Sequence, residues 1–424
     1  MSRLAIDYPP FLYHLRAAPG FRFAGVLEAG TAVILLLLYS QGLIGPLFAD
    51  ESNPEGSAIL RLIWLPVYAI TLILMLARPG QTLRVLGANA GVGLLIGWAL
   101  VSVVWSLAPD VTLRRGFALA MTTAFGLWMA SRWSWRELVQ LVALSFGILA
   151  VLSTFMALFV PALGVDHLVH AGAWKGVWWE KNTLGAMMAF GTVAALAAIQ
   201  NDPRRWMMWA GFAVLCTALV LLSTSKTALL AWSLGVGGII GIGLCRRGFG
   251  FAALTLSLGL TGGVLAALIL LIAPLDALEL LGRDATLTGR TDIWVVLIDQ
   301  VKDAPWTGFG YKAYWAAETG PVFWVRQATG WDVPTAHNGW IEIALSLGLP
   351  GVALMAWVWL GGFVRALGRI FSGAEAYWAL PIIAMIGLVS ISESNLLQQN
   401  DLSWVLLIAT IARLKGGRDQ PAWP

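Results

Sequence analysis

Long apolar runs separated by short polar connections make up most of the chain. In windows of about 19 residues, the length that crosses a bilayer as a helix, the pattern predicts twelve spans. They lie near 24–44, 58–77, 87–107, 114–131, 137–161, 183–200, 206–223, 226–245, 250–274, 338–364, 376–394 and 399–414. Helices are predicted because backbone groups in lipid must find their hydrogen-bond partners within their own segment.

One long interruption, residues 275–337, separates the ninth predicted span from the tenth. Connections of this length in compact folds are usually functional, so we expect this loop to form part of the active site. An amphipathic helix is predicted to begin near Arg290, with Thr288 as its N-cap, and to end in a turn at Pro305 and Gly308. Its apolar positions are Ile293, Val296, Leu297 and Val301.

The composition supports the same fold class. Hydrophobic residues make up 58% of the 424 residues and charged residues only 12%, whereas soluble domains carry about 25% charged residues. A soluble fold could not bury this much apolar surface. The chain is therefore predicted to be an all-α polytopic membrane protein, with residues 1–424 forming a single membrane domain.

Basic residues in the short connections predict the orientation, because cytoplasmic loops are enriched in Lys and Arg. The pattern places both termini in the cytoplasm and the long loop on the outer side. The residues that support this are Arg3, Arg16, Arg22, Arg78, Arg84, Arg132, Arg136, Arg204, Arg205, Arg246, Arg247, Arg365, Arg369, Arg413, Lys415 and Arg418.

Several basic residues oppose this orientation. A long translocated loop is exempt from the charge rule, which accounts for the residues from Arg283 to Arg326. Four residues in short outer connections are not covered in this way: Arg114, Arg115, Lys181 and Lys226. We interpret these four as binding an anionic ligand at the outer interface.

Two short motifs place lysines at predicted helix starts. Lys181 follows a tryptophan-rich stretch, with Asn182 or Thr183 predicted to cap the sixth span. Lys226 ends a Ser-Thr-Ser-Lys turn between spans seven and eight. Phosphate binding at the helix N-terminus is one interpretation, and an interfacial tryptophan belt with an ordinary polar turn is the other.

The long loop and its end supply the remaining candidates. Arg290 could hold two phosphate oxygens with its planar guanidinium. Trp306 and Tyr311 could stack on sugar rings or pack the loop onto the membrane interface, and Asn338 is a further candidate for contacting a sugar. His337, where the chain re-enters the membrane, could take a proton from an attacking hydroxyl near neutral pH.

Five sequence blocks, taken together and in this order, resemble the O-antigen ligase/polymerase superfamily of the Wzy-C type. Within it, the Lys-Asn and Gly-Arg-Thr blocks are most similar to exopolysaccharide polymerases of the succinoglycan type. The blocks are Lys181-Asn182-x-Leu184-Gly185, Ser223-x-Ser225-Lys226, Gly289-Arg290-Thr291-x-x-Trp294, Gly308-x-Gly310-Tyr311 and His337-Asn338-Gly339. Lys226 stands where relatives often have arginine, and Glu180 where many have histidine.

The resemblance implies a GT-C-like, metal-independent, inverting glycosyltransferase of the bacterial inner membrane that needs no cofactor. Its donor would be a glycan on undecaprenyl diphosphate, and its acceptor a glycan or lipid A-core. Membrane lipids and a polysaccharide chain-length regulator are further expected partners, and nucleic acid is not. By motif, Arg290 would hold the diphosphate and His337 would be the base, with Lys181, Lys226, Arg114 and Arg115 supporting the diphosphate.

Three functions stay open on the sequence alone. A polymerase joins repeat units, whereas a ligase moves the finished glycan onto lipid A-core or protein. A transporter of polysaccharide or lipid-linked glycan would instead show interrupted spans in matching halves and charges near the midplane. Here the charges cluster at one face and in one loop, which favours an enzyme, and the branch resemblance favours the polymerase.

Overall fold

A computed structural model describes residues 19–48, 58–168, 170–272, 290–316, 320–330 and 333–416. Within these ranges the regular structure is helical, and one isolated antiparallel bridge joins Val165 and Trp174. The α-helices, in chain order, are α1 (Pro19–Tyr39), α2 (Ile44–Phe48), α3 (Ala58–Leu76), α4 (Pro79–Ala88), α5 (Ala90–Val101), α6 (Pro109–Arg132), α7 (Trp135–Phe159), α8 (Pro161–Gly164), α9 (Lys181–Asn201), α10 (Trp206–Leu222), α11 (Lys226–Cys245), α12 (Phe249–Ile272), α13 (Arg290–Asp303), α14 (Pro321–Thr329), α15 (Gly339–Leu367), α16 (Ala376–Val389) and α17 (Leu402–Lys415). Three short 3-10 helices cover Ser102–Trp105, Pro203–Arg205 and Tyr314–Ala316.

Each predicted span coincides with one of these helices, which confirms an all-helical, multi-pass membrane protein. Within the described residues, five helical segments are long and apolar enough to cross a membrane by themselves. The bent pair Leu62–Leu76 and Pro79–Ala88 makes a sixth if the two helices together form one span. The five are Trp135–Phe159, Lys181–Asn201, Pro203–Leu222, Lys226–Cys245 and Gly339–Leu367. The number of twelve crossings stays a prediction.

The chain forms two compact units. Unit 1 comprises Met1–Gln81, Trp128–Trp232 and Gly416–Pro424, and unit 2 comprises Thr82–Leu127 and Ser233–Lys415. In unit 1, α9 packs against α7 and α10. Small residues allow this close approach: a Cβ at Gly191 would lie 2.9 Å from the Cys216 Sγ and 3.0 Å from the Phe146 Cβ.

Helix α15 is the central element of unit 2 and contacts α5, α13, α16 and α17. It is interrupted at Gly348, whose φ of 66° is non-helical, two residues before Pro350. Proline cannot donate a helical hydrogen bond, so the break leaves backbone groups that need other partners. The loop at residues 304–310 supplies several of them.

The described part of the long loop contains two α-helices and a short 3-10 helix. The amphipathic helix predicted from Arg290 is confirmed as α13, which ends at Asp303 ahead of the Pro-Gly turn. It packs with α14 and the start of α15 around a small apolar core formed by Ile293, Leu297, Phe309, Tyr314, Val322, Val325, Val333, Ala336 and Leu345. The proposed Thr288 cap and Arg283 lie outside the described residues.

The predicted cap of the sixth span is wrong. Helix α9 begins at Lys181 with Glu180 as N-cap, and no side-chain cap hydrogen bond forms there. Asn182 and Thr183 lie inside the first turn. The cap residue must have non-helical backbone angles, and here the extended conformation falls on Glu180, at φ −123° and ψ 143°.

Candidate active site

The His-Asn-Gly block lies at the start of α15, and each residue has a different structural role. The Asn338 Oδ1 caps the helix by accepting hydrogen bonds from the Trp340 and Ile341 N–H groups. Its Nδ2 donates to the Ile391 carbonyl at 3.1 Å. The Gly339 N–H donates to the Ser390 carbonyl, and a Cβ there would lie 3.1 Å from the Leu396 Cβ. The Asn338 amide is therefore already engaged with protein groups on both its oxygen and its nitrogen.

His337 precedes this cap and has a strained backbone. Its φ is 48°, in the left-handed region that a residue with a Cβ adopts at a cost. The side chain is half-buried, and its imidazole has no hydrogen-bond partner among the residues that the structure describes. A fixed backbone with an uncommitted imidazole is an arrangement suited to proton transfer.

Glu342 forms hydrogen bonds with the segments that surround His337. Its carboxylate is buried and accepts hydrogen bonds from the Ala336 N–H at 2.7 Å and from the Trp315 Nε1 at 3.0 Å. The Ser394 hydroxyl approaches the same oxygen, Oε1, at 3.4 Å. Sequence reasoning missed this role. A carboxylate one turn after a candidate cap was the available signal, since acids are favoured there by the helix dipole.

Tyr314, although close by, is not suited to act as a base. Burial raises the pKa of its phenol, and the carboxylates of Asp303 and Glu342 raise it further. The phenol therefore stays neutral at physiological pH.

The Gly-x-Gly-Tyr block forms hydrogen bonds with the backbone at the break in α15. The Phe309 N–H donates to the Leu345 carbonyl at 2.7 Å, and the Gly310 N–H donates to the Ser346 carbonyl at 3.0 Å. A Cβ at Gly308 would lie 2.5 Å from the Leu347 backbone nitrogen. Only glycine allows this approach, so the two glycines of the motif have a packing explanation.

The two aromatic candidates have different environments. Tyr311 is 1% exposed, and its hydroxyl contacts the Leu397 carbonyl and the Gln399 Oε1, each at 2.8 Å. In this arrangement its ring offers no surface for a sugar, and its bonds hold the connection between α16 and α17. Trp306 is 69% exposed, so its indole face is open to a sugar or to the membrane interface.

The two arginines at the start of α6 also differ. Arg114 is exposed, whereas Arg115 is half-buried and its Nη1 donates to the Lys312 carbonyl at 3.1 Å. Thr112, one turn earlier, donates its hydroxyl to the Tyr311 carbonyl at 3.0 Å. Helix α6 therefore binds the Gly-x-Gly-Tyr segment directly, and Arg115 belongs to the same part of unit 2 as that motif.

Unit 1 brings the other two basic candidates together. Lys181 and Lys226 are the first residues of α9 and α11, and their charges lie within electrostatic reach of each other. The Lys181 Nζ donates to the Thr224 hydroxyl at 3.2 Å. The close packing depends on Gly185, where a Cβ would lie 2.6 Å from both the Ala228 Cβ and the Ser223 Oγ. The glycine of one motif therefore packs against the serine of the other.

Two lysines at two helix starts give this region positive potential. An acid lies nearby in the connection before α9: the pKa of Asp166 is lowered by a hydrogen bond from the Leu168 N–H, and further by His170 and Lys175. Asp166 therefore stays ionised and offsets part of the positive charge. Within the described residues, no group of three or more His, Cys, Asp or Glu side chains could hold a metal ion.

Arg290 is the first residue of α13, but its side chain lies outside the part of the chain that the structure describes. Trp294 of the same motif donates its Nε1 to the Ala336 carbonyl at 2.8 Å. This bond fastens α13 to the residue immediately before His337. The motif that contains Arg290 is therefore joined to the motif that contains His337.

Comparison with known proteins agrees with these motifs. The family model described as O-Antigen ligase matches residues 211–356, a range that includes four of the five motif blocks. The exopolysaccharide production protein ExoQ of Rhizobium meliloti is 27% identical over 348 residues, covering 77% of this chain and 78% of that protein. These two matches confirm the resemblance that the motifs predict: the chain is similar to proteins of the O-antigen ligase/polymerase family.

Proposed function

We propose that this protein is a polymerase that joins undecaprenyl-diphosphate-linked oligosaccharide repeat units at the periplasmic face of the bacterial inner membrane. An O-antigen ligase/polymerase type of function in polysaccharide biosynthesis follows from the family match and from the relative. The choice of polymerase is supported by that relative, which is named as an exopolysaccharide production protein. The proposed topology places both termini in the cytoplasm.

One observation carries the catalytic part of this proposal. His337 has an uncommitted imidazole, within the described residues, on a backbone that is fixed by the Asn338 cap and by Glu342. An acceptor hydroxyl is a poor nucleophile until its proton can leave. A positioned imidazole near neutral pH supplies a base for that proton.

The proposed reaction is a single displacement. The oxygen of the acceptor hydroxyl forms a bond to the anomeric carbon of the donor sugar, while its proton passes to His337. The bond between that carbon and the diphosphate oxygen breaks, and the electron pair leaves with the lipid diphosphate. The growing negative charge on the leaving group needs fixed cations, the role proposed for Arg290, with Arg115, Arg114, Lys181 and Lys226 in support.

The glycan itself needs a different surface. Trp306 is the glycan-binding candidate with an exposed ring, and stacking on a sugar face suits its geometry. Tyr311 and Asn338 contribute to the proposed site by holding its framework, because their polar groups are bonded to the protein.

The test is a glycan gel ladder in cells that lack the protein and are complemented at matched membrane levels. We expect wild type to give long polymer, and His337→Asn or His337→Gly to give single lipid-linked units. Both replacements tolerate the positive φ of this position, so they remove the imidazole with little added strain. His170→Ala, an exposed histidine of unit 1, is the matched control and should leave the ladder unchanged.

A normal ladder in both His337 variants would overturn the proposed base. It would also revive the transporter alternative, because export does not require proton abstraction from a hydroxyl. In that case lipid-linked polymer should appear on the inner side of the membrane in cells without the protein. The Arg290→Ala variant is measured in the same assay as a second, independent test of the site.

A ligase is the second candidate, because the matching family model is itself described as O-Antigen ligase. In the ligase case, polymer of normal length forms without the protein but stays on its lipid carrier. Analysis of the carrier therefore separates the two functions: missing polymerisation indicates the polymerase, and missing transfer to lipid A-core or protein indicates the ligase.

A further inference from the structure

Lys312 is an unusual residue in unit 2 because it is a basic residue that is mostly buried. Among the described residues, the buried charged side chains are Glu137, Asp202, Glu342 and Lys312. The three acids each have hydrogen-bond donors: Ser134 for Glu137, Gln140 and Arg136 for Asp202, and Trp315 with Ala336 for Glu342. Lys312 is 8% exposed, and its ammonium has no hydrogen bond or ion pair to the residues that the structure describes. The Lys312 Nζ is not one of the fully enclosed polar atoms that lack a hydrogen bond, so the ammonium keeps some access from outside.

The backbone on either side of Lys312 is fastened to its surroundings. The Tyr311 N–H donates to the Ser102 hydroxyl at 2.9 Å, and the Lys312 carbonyl accepts from Arg115 at 3.1 Å. Lys312 itself has a φ of 59°, a left-handed conformation that lysine rarely adopts. Such strain persists only where neighbouring contacts impose it. The direction in which this side chain leaves the backbone is therefore fixed by the fold.

The electrostatic surroundings are partly negative. The Lys312 charge acts on the carboxylate of Asp401, which precedes α17 and accepts a hydrogen bond from the Trp404 N–H at 3.0 Å. No direct ion pair joins Lys312 and Asp401 among the described contacts. The ammonium therefore has no direct counter-charge among the described residues, and an anion that reaches it can accept its hydrogen bonds.

We propose that Lys312 binds a phosphate oxygen of the substrate diphosphate, beside Arg115. This inference rests on the proposed function, since it takes the anion to be the lipid diphosphate. It adds to that function a specific binding residue that the motif comparison does not assign. The same chemistry would accept free pyrophosphate or the headgroup of an anionic lipid, so the experiment must separate these sources.

The probe is inorganic pyrophosphate, titrated by calorimetry into the full-length protein in nanodiscs of neutral phosphatidylcholine. We expect Lys312→Met to lower the affinity by about tenfold or more, the usual effect of losing a hydrogen bond to a charged group. Lys312→Arg should retain most of the affinity. Lys302→Met is the matched control, because Lys302 is an exposed lysine of the same loop that pairs with Asp299 at 3.0 Å, and it should change the affinity less than about twofold.

Two further arms make the result specific. The titration is repeated in a Lys181→Ala background, so that pyrophosphate bound at the start of α9 is not mistaken for binding at Lys312. It is also repeated in nanodiscs that contain phosphatidylglycerol. If Lys312→Met leaves the pyrophosphate affinity in neutral nanodiscs unchanged but weakens the binding of phosphatidylglycerol, Lys312 is assigned to a lipid headgroup and the proposal is overturned.

A structural role for Lys312 predicts a different pattern. If Lys312 only stabilises Asp401, Lys312→Met and Asp401→Asn should lower the melting temperature equally, without adding in the double variant, and leave pyrophosphate affinity unchanged. That pattern would also overturn the proposal. Because pyrophosphate binding needs no turnover, a failed base assignment at His337 would not alter this measurement, and the two failures are distinguishable.

Discussion

The starts of α15 and α9 are built in opposite ways. At α15, Asn338 caps the helix and buried Glu342 holds three neighbouring segments. At α9, no side-chain cap hydrogen bond forms, and a lysine occupies the first turn, where its charge opposes the helix dipole. The first arrangement is typical of a residue that must be positioned. The second leaves a positive helix end available to an anion.

We infer from this difference that the residues that stabilise a helix start and the residues proposed to bind an anion lie in different parts of the chain. In the proposed function His337 transfers a proton, which requires a fixed direction, and the polar groups beside it are satisfied by the protein. In the proposed function, the start of α9 instead presents the positive charges of Lys181 and Lys226 to the lipid diphosphate. Three substitutions test this contrast, from the largest expected effect on stability to the smallest.

Replacing Glu342 with Ala should have the largest effect. The change leaves the Trp315 indole N–H and the Ala336 N–H buried without an acceptor, at a cost of roughly 2–5 kcal/mol. We expect a clear fall in the melting temperature of the purified protein. Glu342→Gln, which keeps one acceptor oxygen, should lose less. Asp299→Ala, at an exposed acid of the long loop, is the control, and an equal loss in this control would refute the role given to Glu342.

Replacing Asn338 with Ala should have an intermediate effect. Loss of an N-cap costs about 1 kcal/mol, and the hydrogen bond to the Ile391 carbonyl is lost as well. Asn338→Asp keeps an oxygen that can cap the helix but lacks the amide donor. We therefore expect it to retain the cap contribution and to lose only the hydrogen bond to the Ile391 carbonyl. Thermal unfolding of the three proteins checks the order. If Asp and Ala variants melt at the same temperature, the cap contributes nothing measurable.

Replacing Lys181 with Ala should have the smallest effect on stability and the opposite sign. It removes a charge that opposes the dipole of α9 and repels Lys226, so the protein should gain about 0.3–1 kcal/mol. Polymer formation should nevertheless fall. Thr224→Val removes the same hydrogen bond but keeps both charges, and it should leave polymer formation close to wild type. If Lys181→Ala lowers stability and polymer forms normally, Lys181 stabilises the start of α9 and does not bind the anion.

Much of the fold could be predicted because bilayer physics limits the choices. An apolar run of span length must be a helix, so every predicted window contains one, and the amphipathic pattern after Arg290 correctly predicted α13. The break at Gly348 could not be predicted. The Leu345 and Ser346 carbonyls at the break accept hydrogen bonds from the Phe309 and Gly310 N–H groups. Those groups precede α14 in sequence and reach the break only after folding.

The candidate site was predictable to a lesser extent. The motifs named His337, Lys181 and Lys226 by residue type and order. Glu342 and Lys312 were not assigned roles, because burial and missing partners are properties of the folded chain. Tyr311 illustrates the same limit: its sequence suggested a sugar-stacking ring, and the fold buries that ring against Leu397 and Gln399.

The sequence by itself determined that this protein is a helical membrane protein, with basic and aromatic motifs in the order of a glycan-transferring family. Hydrophobic run length and residue type are local properties, and they are enough for those conclusions. Only the tertiary structure decided which polar groups are already bonded and which are left open. That distinction depends on contacts between residues far apart in the chain, such as Glu342 with Trp315 and Lys181 with Thr224.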